Sequence, residues 1–237
     1  MKTLLVVLCG CAVLRAQDAQ PVLFAHADFI NIAPGKTAEY HKALAEIAVP
    51  KFKAGLAAGE AYAFVSFART FPHGDDAADE VRFTIGKTIG GTSNGMLGTS
   101  SGFPADLYKT LQGEMWRTRY SVNLEKLLNA RVVRALFLKA HPGSTSEDIV
   151  RIYRTGDATK RAAAGKGLLI LDRLFSGRTP DDYSTIVLWG YDTTKEIDAL
   201  YQQAPGQSPI EIAHLSHVRD VVRMELWTRR AEYAGPQ

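Results

Sequence analysis

Polar side chains inside apolar segments are the residues of this chain best suited to chemistry. His26 and Asp28 stand two positions apart in the first extended apolar segment. Alternate residues of a β-strand share one face, so these two side chains are predicted to lie next to each other. An imidazole beside a carboxylate can take a proton from a bound substrate. His26 and Asp28 are therefore the candidate catalytic base.

Further charged and aromatic side chains in apolar segments are candidates for binding a substrate. A buried guanidinium is costly unless an acceptor meets it, and its planar fork suits an anionic oxygen. The candidates are Arg69, Arg82, Arg134, Arg223 and Trp189, with Tyr191 and Trp227 as further members of an aromatic wall. Together with His26 they would line one pocket. The alternative is that the arginines form ion pairs at strand ends and that the aromatic side chains belong to the core.

The sequence gives little support for nucleophilic or phosphate chemistry. Gly-x-Ser-x-Gly, the turn that presents a catalytic serine in many hydrolases, occurs at residues 91–95 and 98–102, but this glycine-rich stretch follows a strand without opening a convincing helix. Gly86-Lys87-Thr88 resembles the end of a phosphate-binding loop, but the required glycine five residues earlier is Val81. The sequence therefore predicts neither a serine hydrolase nor a P-loop nucleotide site.

One group of residues has a spacing that would suit a metal on a helix. Glu211, His214 and His217 recur every three residues and would share one side of a helix, as zinc ligands can. A solvated polar helix face explains the same spacing, and we predict no metal site. The other histidines outside the first strand, His41, His73 and His141, are interpreted as surface residues.

The segments that must position these residues follow an order that occurs twice. Residues 27–35 and 135–143 both carry Ala, Phe and Pro-Gly at the same offsets, at the end of an extended apolar run. In each copy a turn, a helix and two strands joined by an Asp-Asp turn follow, and then a short helix containing Leu-Tyr. The sequence thus predicts a leader over 1–19, a first half over 20–130 and a second half over 131–237.

The individual elements follow from periodicity and turn residues. The predicted strands after the first one are 61–69, 80–85, 116–122, 131–140, 168–173, 183–189 and 221–228. The predicted long helices run from Thr37 to about Ala54 and onward from 144–146, and the short helical segments contain Leu107-Tyr108 and Leu200-Tyr201. Each half then reads β-α-β-β-α-β, an α+β arrangement.

This order, with its short strand, Pro-Gly and helix units, resembles the ferredoxin-like dimeric α/β-barrel superfamily over about residues 22–230. Monooxygenase-like and NIPSNAP-like domains are among its members. The resemblance implies two ferredoxin-like units in tandem, whose antiparallel sheets pack as one α/β barrel. It also implies that strands covered on both faces are apolar on both faces.

The resemblance implies a cofactor-independent, oxygenase-like enzyme for an aromatic or polyketide-like small molecule, with His26 and Asp28 as the base. No cofactor is predicted. Two alternatives stay open: a non-catalytic module that binds a ligand or a partner, and a heme protein with His26 or His141 as the candidate ligand. A homo-oligomer is compatible with each of these functions.

Charge and the N-terminal residues indicate partners and location. The net charge is +3 and the longest basic cluster is Arg229-Arg230, so no nucleic-acid partner is predicted. Lys2 followed by an apolar run from Leu4 to Leu14 is typical of a signal peptide, which predicts an exported protein, periplasmic or secreted, without a transmembrane segment in the mature chain. Lipid attachment at Cys11 is a secondary alternative. Cys9 and Cys11 are the only cysteines, so a mature chain cleaved after Ala16, Gln17 or Ala19 would contain no thiol.

Overall fold

Strands dominate the computed structural model, which describes residues 22–70, 78–93, 102–155, 167–176, 183–202 and 217–230. The strands are β1 (Phe24–Ile32), β2 (Ala61–Arg69), β3 (Glu80–Gly86), β4 (Tyr108–Val122), β5 (Val132–Ala140), β6 (Leu168–Ser176), β7 (Thr185–Tyr191) and β8 (Arg219–Arg229). The helices are α1 (Thr37–Ala43), α2 (Val49–Ala57), α3 (Ile89–Ser93), α4 (Leu124–Asn129), α5 (Ser146–Thr155) and α6 (Thr194–Tyr201). A π-helical turn, Leu44–Ala48, joins α1 to α2. Among the described helices, none is long and apolar enough to cross a membrane.

The strands form one closed antiparallel barrel in the order β1-β3-β2-β8-β5-β7-β6-β4. Within it the first half contributes β4-β1-β3-β2 and the second half β8-β5-β7-β6, so both halves have the same strand order. The halves join where β2 pairs with β8 and where β4 pairs with β6. The predicted fold class, two ferredoxin-like α/β units in tandem that close one barrel, is confirmed.

Side chains from both halves fill the inside of the barrel. Ala27 in β1 and Ala135 in β5 are fully buried at the middle of their strands. Their small side chains leave room for large aromatic rings, and Trp116 and Trp227 are fully buried in the same core cluster. The ring of Phe137 lies 6.1 Å from that of Trp227, which continues this packing toward one end of the barrel.

Helices cover the outer face of each sheet, and an apolar cluster lies between helix and sheet in both halves. On the first half, Tyr40, Leu44 and Phe52 of the helical segment pack with Ile30 and Phe64 of the sheet. A separate cluster forms on the second half, where α5 packs on its sheet with the buried residues Ile149, Val150 and Tyr153. The second sheet is therefore largely apolar on both faces as expected, whereas the outer face of the first sheet also carries buried polar side chains, among them His26, Asp28, Glu80, Arg82 and Thr84.

Buried ion pairs cross both seams between the halves. At the seam between β2 and β8, Arg69 donates from Nε and Nη2 to the two carboxylate oxygens of Glu225, at 2.8 and 2.7 Å. Trp227 Nε1 donates to the same carboxylate at 2.7 Å. At the seam between β4 and β6, Arg173 Nη1 donates to Glu114 Oε1 at 3.1 Å. Each seam thus joins an arginine of one half to a glutamate of the other.

Some predictions differ from the structure or lie outside the described residues. The predicted short helix at Leu107-Tyr108 is wrong: a 3-10 turn ends at Leu107, and Tyr108 begins β4, because it pairs with Ile32 of β1. The leader (1–19), His73, Glu211 and His214 lie outside the described residues, so the structure does not test the predictions about them.

Candidate functional site

The outer face of the first sheet brings His26 and Asp28 together with Arg82. Strand pairing sets Asp28 opposite Arg82 of β3 on one side and opposite Gly113 of β4 on the other. His26 Nδ1 and Arg82 Nη2 each lie 3.6 Å from Asp28 Oδ2. The three residues are buried, with 6%, 8% and 3% of their surfaces exposed. His26 and Asp28 thus share a face as predicted, but it is the helix-covered face and not the barrel interior.

Burial keeps the His26 imidazole neutral near pH 7. Loss of solvation lowers its pKa below the ordinary value of 6.5. The Asp28 carboxylate acts in the opposite direction, and the Arg82 guanidinium adds to the lowering of the pKa. A neutral imidazole with a carboxylate near Nδ1 has Nε2 free to accept a proton, which is the arrangement of a general base.

Three buried donors at this site make no hydrogen bond to any described residue: Nε and Nη1 of Arg82 and the hydroxyl of Tyr40. Burial raises the pKa of Tyr40, so its hydroxyl stays protonated and remains a donor. An unsatisfied buried donor costs about 1–3 kcal/mol, and more when the group is charged. This site can therefore offer several hydrogen bonds to an oxygen of a ligand.

Aromatic rings stand beside these donors. The ring of Phe103 lies 5.8 Å from that of Tyr40 and 5.3 Å from that of Tyr108. The guanidinium carbon of Arg82 is 5.4 Å from the centre of the Tyr108 ring. The sequence reasoning missed this wall, because Tyr108 was assigned to a helix. Tyr108 begins a strand and pairs with Ile32 of β1, and this pairing places its ring at the site.

A second buried network lies next to the site on the same strand. Glu80, two residues before Arg82, accepts a hydrogen bond from Ser66 at 3.0 Å and from Arg230 Nε at 2.9 Å. His41 Nε2 lies 2.8 Å from the same carboxylate. Burial opposes ionisation of Glu80, but these partners outweigh it and lower its pKa. The surface assignment of His41 is wrong, since its side chain ties α1 to the sheet next to Tyr40.

The structure places Arg134 and Trp189 on the other side of the barrel. Both lie on the outer face of the second half, where they face each other across β5 and β7. Trp189 packs against Tyr153 of α5 with ring centres 6.0 Å apart. Tyr191 belongs to the same apolar cluster. The structure does not bring Arg134 or these aromatic rings to His26, because the outer faces of the two halves point away from each other.

Arg69 and Arg223 point into the barrel and not to the outer face. Arg69 pairs with Glu225, as described above, and Arg223 Nε lies 2.9 Å from the same carboxylate. The Arg223 guanidinium also stacks over the ring of Phe137 at 4.0 Å. Trp227 lies inside the barrel too. These placements agree with the alternative of ion pairs and core aromatic residues, and only Arg82 among the five candidates meets His26.

No protein-family model and no curated protein matches this sequence. Solved structures do match its fold. A heme-binding protein from Thermus thermophilus shares 10% identity at a TM-score of 0.56, with 89% of this chain and 92% of that one covered. An anthrone oxidase-like protein shares 13% identity at 0.55, with 92% and 94% covered. A chlorite dismutase variant from Candidatus Nitrospira defluvii shares 9% identity at 0.54, with 89% and 92% covered. At such low identity these likenesses show the ferredoxin-like dimeric α/β-barrel fold alone.

His26 and His141, the two candidate heme ligands, do not fit a heme site. His141 is a third exposed and lies 2.9 Å from Asp220 at the surface. His26 lies 3.6 Å from the Asp28 carboxylate, which also pairs with Arg82, so charged groups occupy the surroundings that a porphyrin face needs to be apolar. In the described part of the chain, no three His, Cys, Asp or Glu side chains are grouped to hold a metal ion.

Proposed function

We propose that this protein is an oxygenase-like enzyme that needs no tightly bound prosthetic group and acts on an aromatic small molecule with an acidic proton. The observation that carries the proposal is the set of unpaired donors of Arg82 and Tyr40 beside the neutral imidazole of His26. Perturbed and unsatisfied buried groups concentrate at functional sites. The likeness of the fold to an anthrone oxidase-like protein supports the reaction class.

The side chains divide the work of the proposed reaction. Arg82 and Tyr40 donate hydrogen bonds to the substrate oxygen, and the rings of Tyr40, Phe103 and Tyr108 contact its aromatic part. His26 Nε2 removes the acidic proton, while Asp28 near Nδ1 stabilises the imidazolium that forms. Negative charge then develops on the oxygen held by Arg82, where a guanidinium in a dry site stabilises it most.

The oxygenation step balances with O2 alone as co-reactant. A methylene carbon deprotonated by His26 gives its electrons to O2 and forms a carbon–oxygen bond. One oxygen atom stays in the product as a ketone, and the other leaves as water with the two hydrogens of the methylene group. The proton held by His26 ends in that water, which returns the imidazole to its neutral form.

Replacement of the base tests the proposal. With anthrone as the substrate, the wild-type protein should consume O2 and form anthraquinone, and His26→Ala should lower kcat by at least about a hundredfold. His141→Ala is the matched control, because His141 is partly exposed and pairs with Asp220 instead of Asp28. Circular dichroism checks that both variants keep the fold. Undiminished O2 uptake by His26→Ala would remove His26 from the reaction.

A non-catalytic ligand-binding module is the second candidate, and the same donors favour it. Such a protein would bind anthrone, and Arg82→Met would lower its affinity. The wild type would take up no O2. Parallel measurements of binding by fluorescence and of turnover with an oxygen electrode therefore distinguish the two functions.

A further inference from the structure

Gly113 has an equivalent residue in the second half of the chain, with which it can be compared. Ala27 of β1 pairs with Glu114, and Ala135 of β5 pairs with Glu225. Both glutamates are followed two residues later by a buried tryptophan, so β4 and β8 correspond residue by residue. Gly113 directly precedes Glu114, and Met224 directly precedes Glu225. Gly113 and Met224 are therefore equivalent positions.

The row of outward-facing residues that contains these positions differs in character between the halves. In the first half the row across the sheet is Gly113, Asp28, Arg82 and Ser66. In the second half it is Met224, Leu136, Val187 and Ile170. The second row shows that this fold is satisfied by apolar side chains here. The polar residues and the glycine of the first row are thus not required by the architecture.

Neither the backbone nor the packing requires a glycine at 113. Gly113 is not among the glycines with positive φ, so an L-residue can adopt its conformation. A Cβ built on Gly113 would lie 3.5 Å from His26 Nε2 and 3.6 Å from Asp28 Oδ1, which are ordinary contact distances. A glycine inside a strand weakens it and often marks the close approach of a ligand. The two groups that such a Cβ would touch are the candidate base and its carboxylate.

We propose that Gly113 is the specificity-determining residue of this site: its missing side chain leaves the space through which the reacting atom of a ligand reaches His26 Nε2. This inference rests on the proposed function only for the identity of the site. A methyl group at position 113 should block access to His26 without disturbing the fold. At the equivalent position of the second half stands Met224, which is 45% exposed and contacts the Tyr201 hydroxyl.

Chemical labelling measures this access without knowledge of the substrate. Diethyl pyrocarbonate acylates a neutral imidazole, and mass spectrometry reports the rate at each histidine. We expect His26 to react in the wild type, about tenfold more slowly in Gly113→Ala, and not measurably in Gly113→Met, since one carbon in a tight pocket changes binding by roughly tenfold or more. His141 is the internal control and should react equally in all three proteins.

Binding and stability complete the test. Under nitrogen, Gly113→Ala should bind anthrone about tenfold more weakly than the wild type. Its melting temperature should be unchanged or higher, because Ala at a compatible position reduces the entropy of the unfolded chain. Gly55→Ala is the matched control, since a Cβ at Gly55 meets nothing within 4 Å; it should leave both labelling and binding as in the wild type.

Each result decides between the claims. An unreactive His26 in the wild type, or equal labelling in the wild type and Gly113→Ala, would overturn the role of Gly113. If Gly113→Ala melts far below the wild type, the glycine is structural and the inference fails as well. If labelling and binding change as expected but the wild type consumes no O2, Gly113 still controls access, and only the proposed oxygenase function is lost.

Discussion

His26 and Arg82 show how burial determines what a side chain can do. Loss of solvation favours the neutral form of His26, whereas a guanidinium stays charged when buried and instead demands acceptors. The two effects produce a proton acceptor next to hydrogen-bond donors within one patch of sheet. That combination suits a ligand that becomes an anion when it loses a proton.

The acid limb of the pH–activity profile should report His26. Because its folded-state pKa is lowered, the limb of kcat/KM should lie below pH 6.5. Asp28→Asn removes the carboxylate that raises this pKa, so the limb should move to still lower pH. NMR titration of the His26 ring in both proteins is the direct measurement, and His141→Ala should leave the His26 titration as it is. An acid limb at or above pH 6.5 would contradict the neutral base.

The aromatic rings beside His26 belong to residues that the sequence did not identify as part of a site. Tyr40, Phe103 and Tyr108 come from a helix, a loop and the start of a strand, and no local pattern connects them. Their ring contacts at 5.3–5.9 Å exist only because α1 and β4 both pack on β1. The sequence predicted an aromatic wall, and the structure forms one from different residues.

At the level of elements, the seams between the halves differ in how well their carboxylates are satisfied. Glu225 accepts from Arg69 twice and from Trp227. Glu114 accepts from Gln112, Arg173 and Tyr183, all through Oε1, whereas its Oε2 and the Nε1 of Trp116 have no hydrogen-bond partner among the described residues. Burial raises the pKa of Glu114 despite these partners. The seam between β2 and β8 is therefore the better compensated one.

Breaking the better compensated pair should be costly. Arg69→Met leaves Glu225 buried with less compensation, and we expect a loss of about 3–5 kcal/mol in the free energy of unfolding. The double variant Arg69→Met with Glu225→Leu should recover only part of that loss, because the buried carboxylate is gone but Arg223 and Trp227 Nε1 lose their acceptor. Urea denaturation gives both values. Lys36→Met is the control, since its pair with Glu39 is exposed and should contribute little to the free energy of unfolding. A single variant as stable as the wild type would show that this pair does not hold the seam.

On the scale of the whole molecule, the two halves share one topology but have divided their tasks. Each uses its inner face for the common core and its outer face for helices. Only the first half has a polar row with a glycine on its outer face. The closed barrel thus combines a second half whose corresponding row is apolar with a first half that carries the candidate site.

We propose that the mature protein is exported after removal of its leader, for which the apolar run from Leu4 to Leu14 is the support. Expressed with its full N-terminus in a bacterial host, the protein should appear outside the cytoplasm. Its measured mass should be that of a chain cleaved after residue 16, 17 or 19. A replacement of Leu8 by Arg should keep the precursor in the cytoplasm. Recovery of the uncleaved chain from the cytoplasm of the wild-type culture would contradict export, and a lipid-modified Cys11 would favour the anchoring alternative.

The sequence by itself determined the strands, the long helices, the repeated order and the shared face of His26 and Asp28, because turn residues and side-chain periodicity act over a few positions. Only the tertiary structure decided which face was inside. Both faces of these strands are buried, so the sequence pattern does not show which face lies inside the barrel and which lies under the helices. The tertiary structure also decided the partners of these residues: Arg82 and Gly113 meet Asp28, and Arg69 meets Glu225. These contacts arise from pairing between distant strands, and the register of that pairing depends on the closure of the whole barrel.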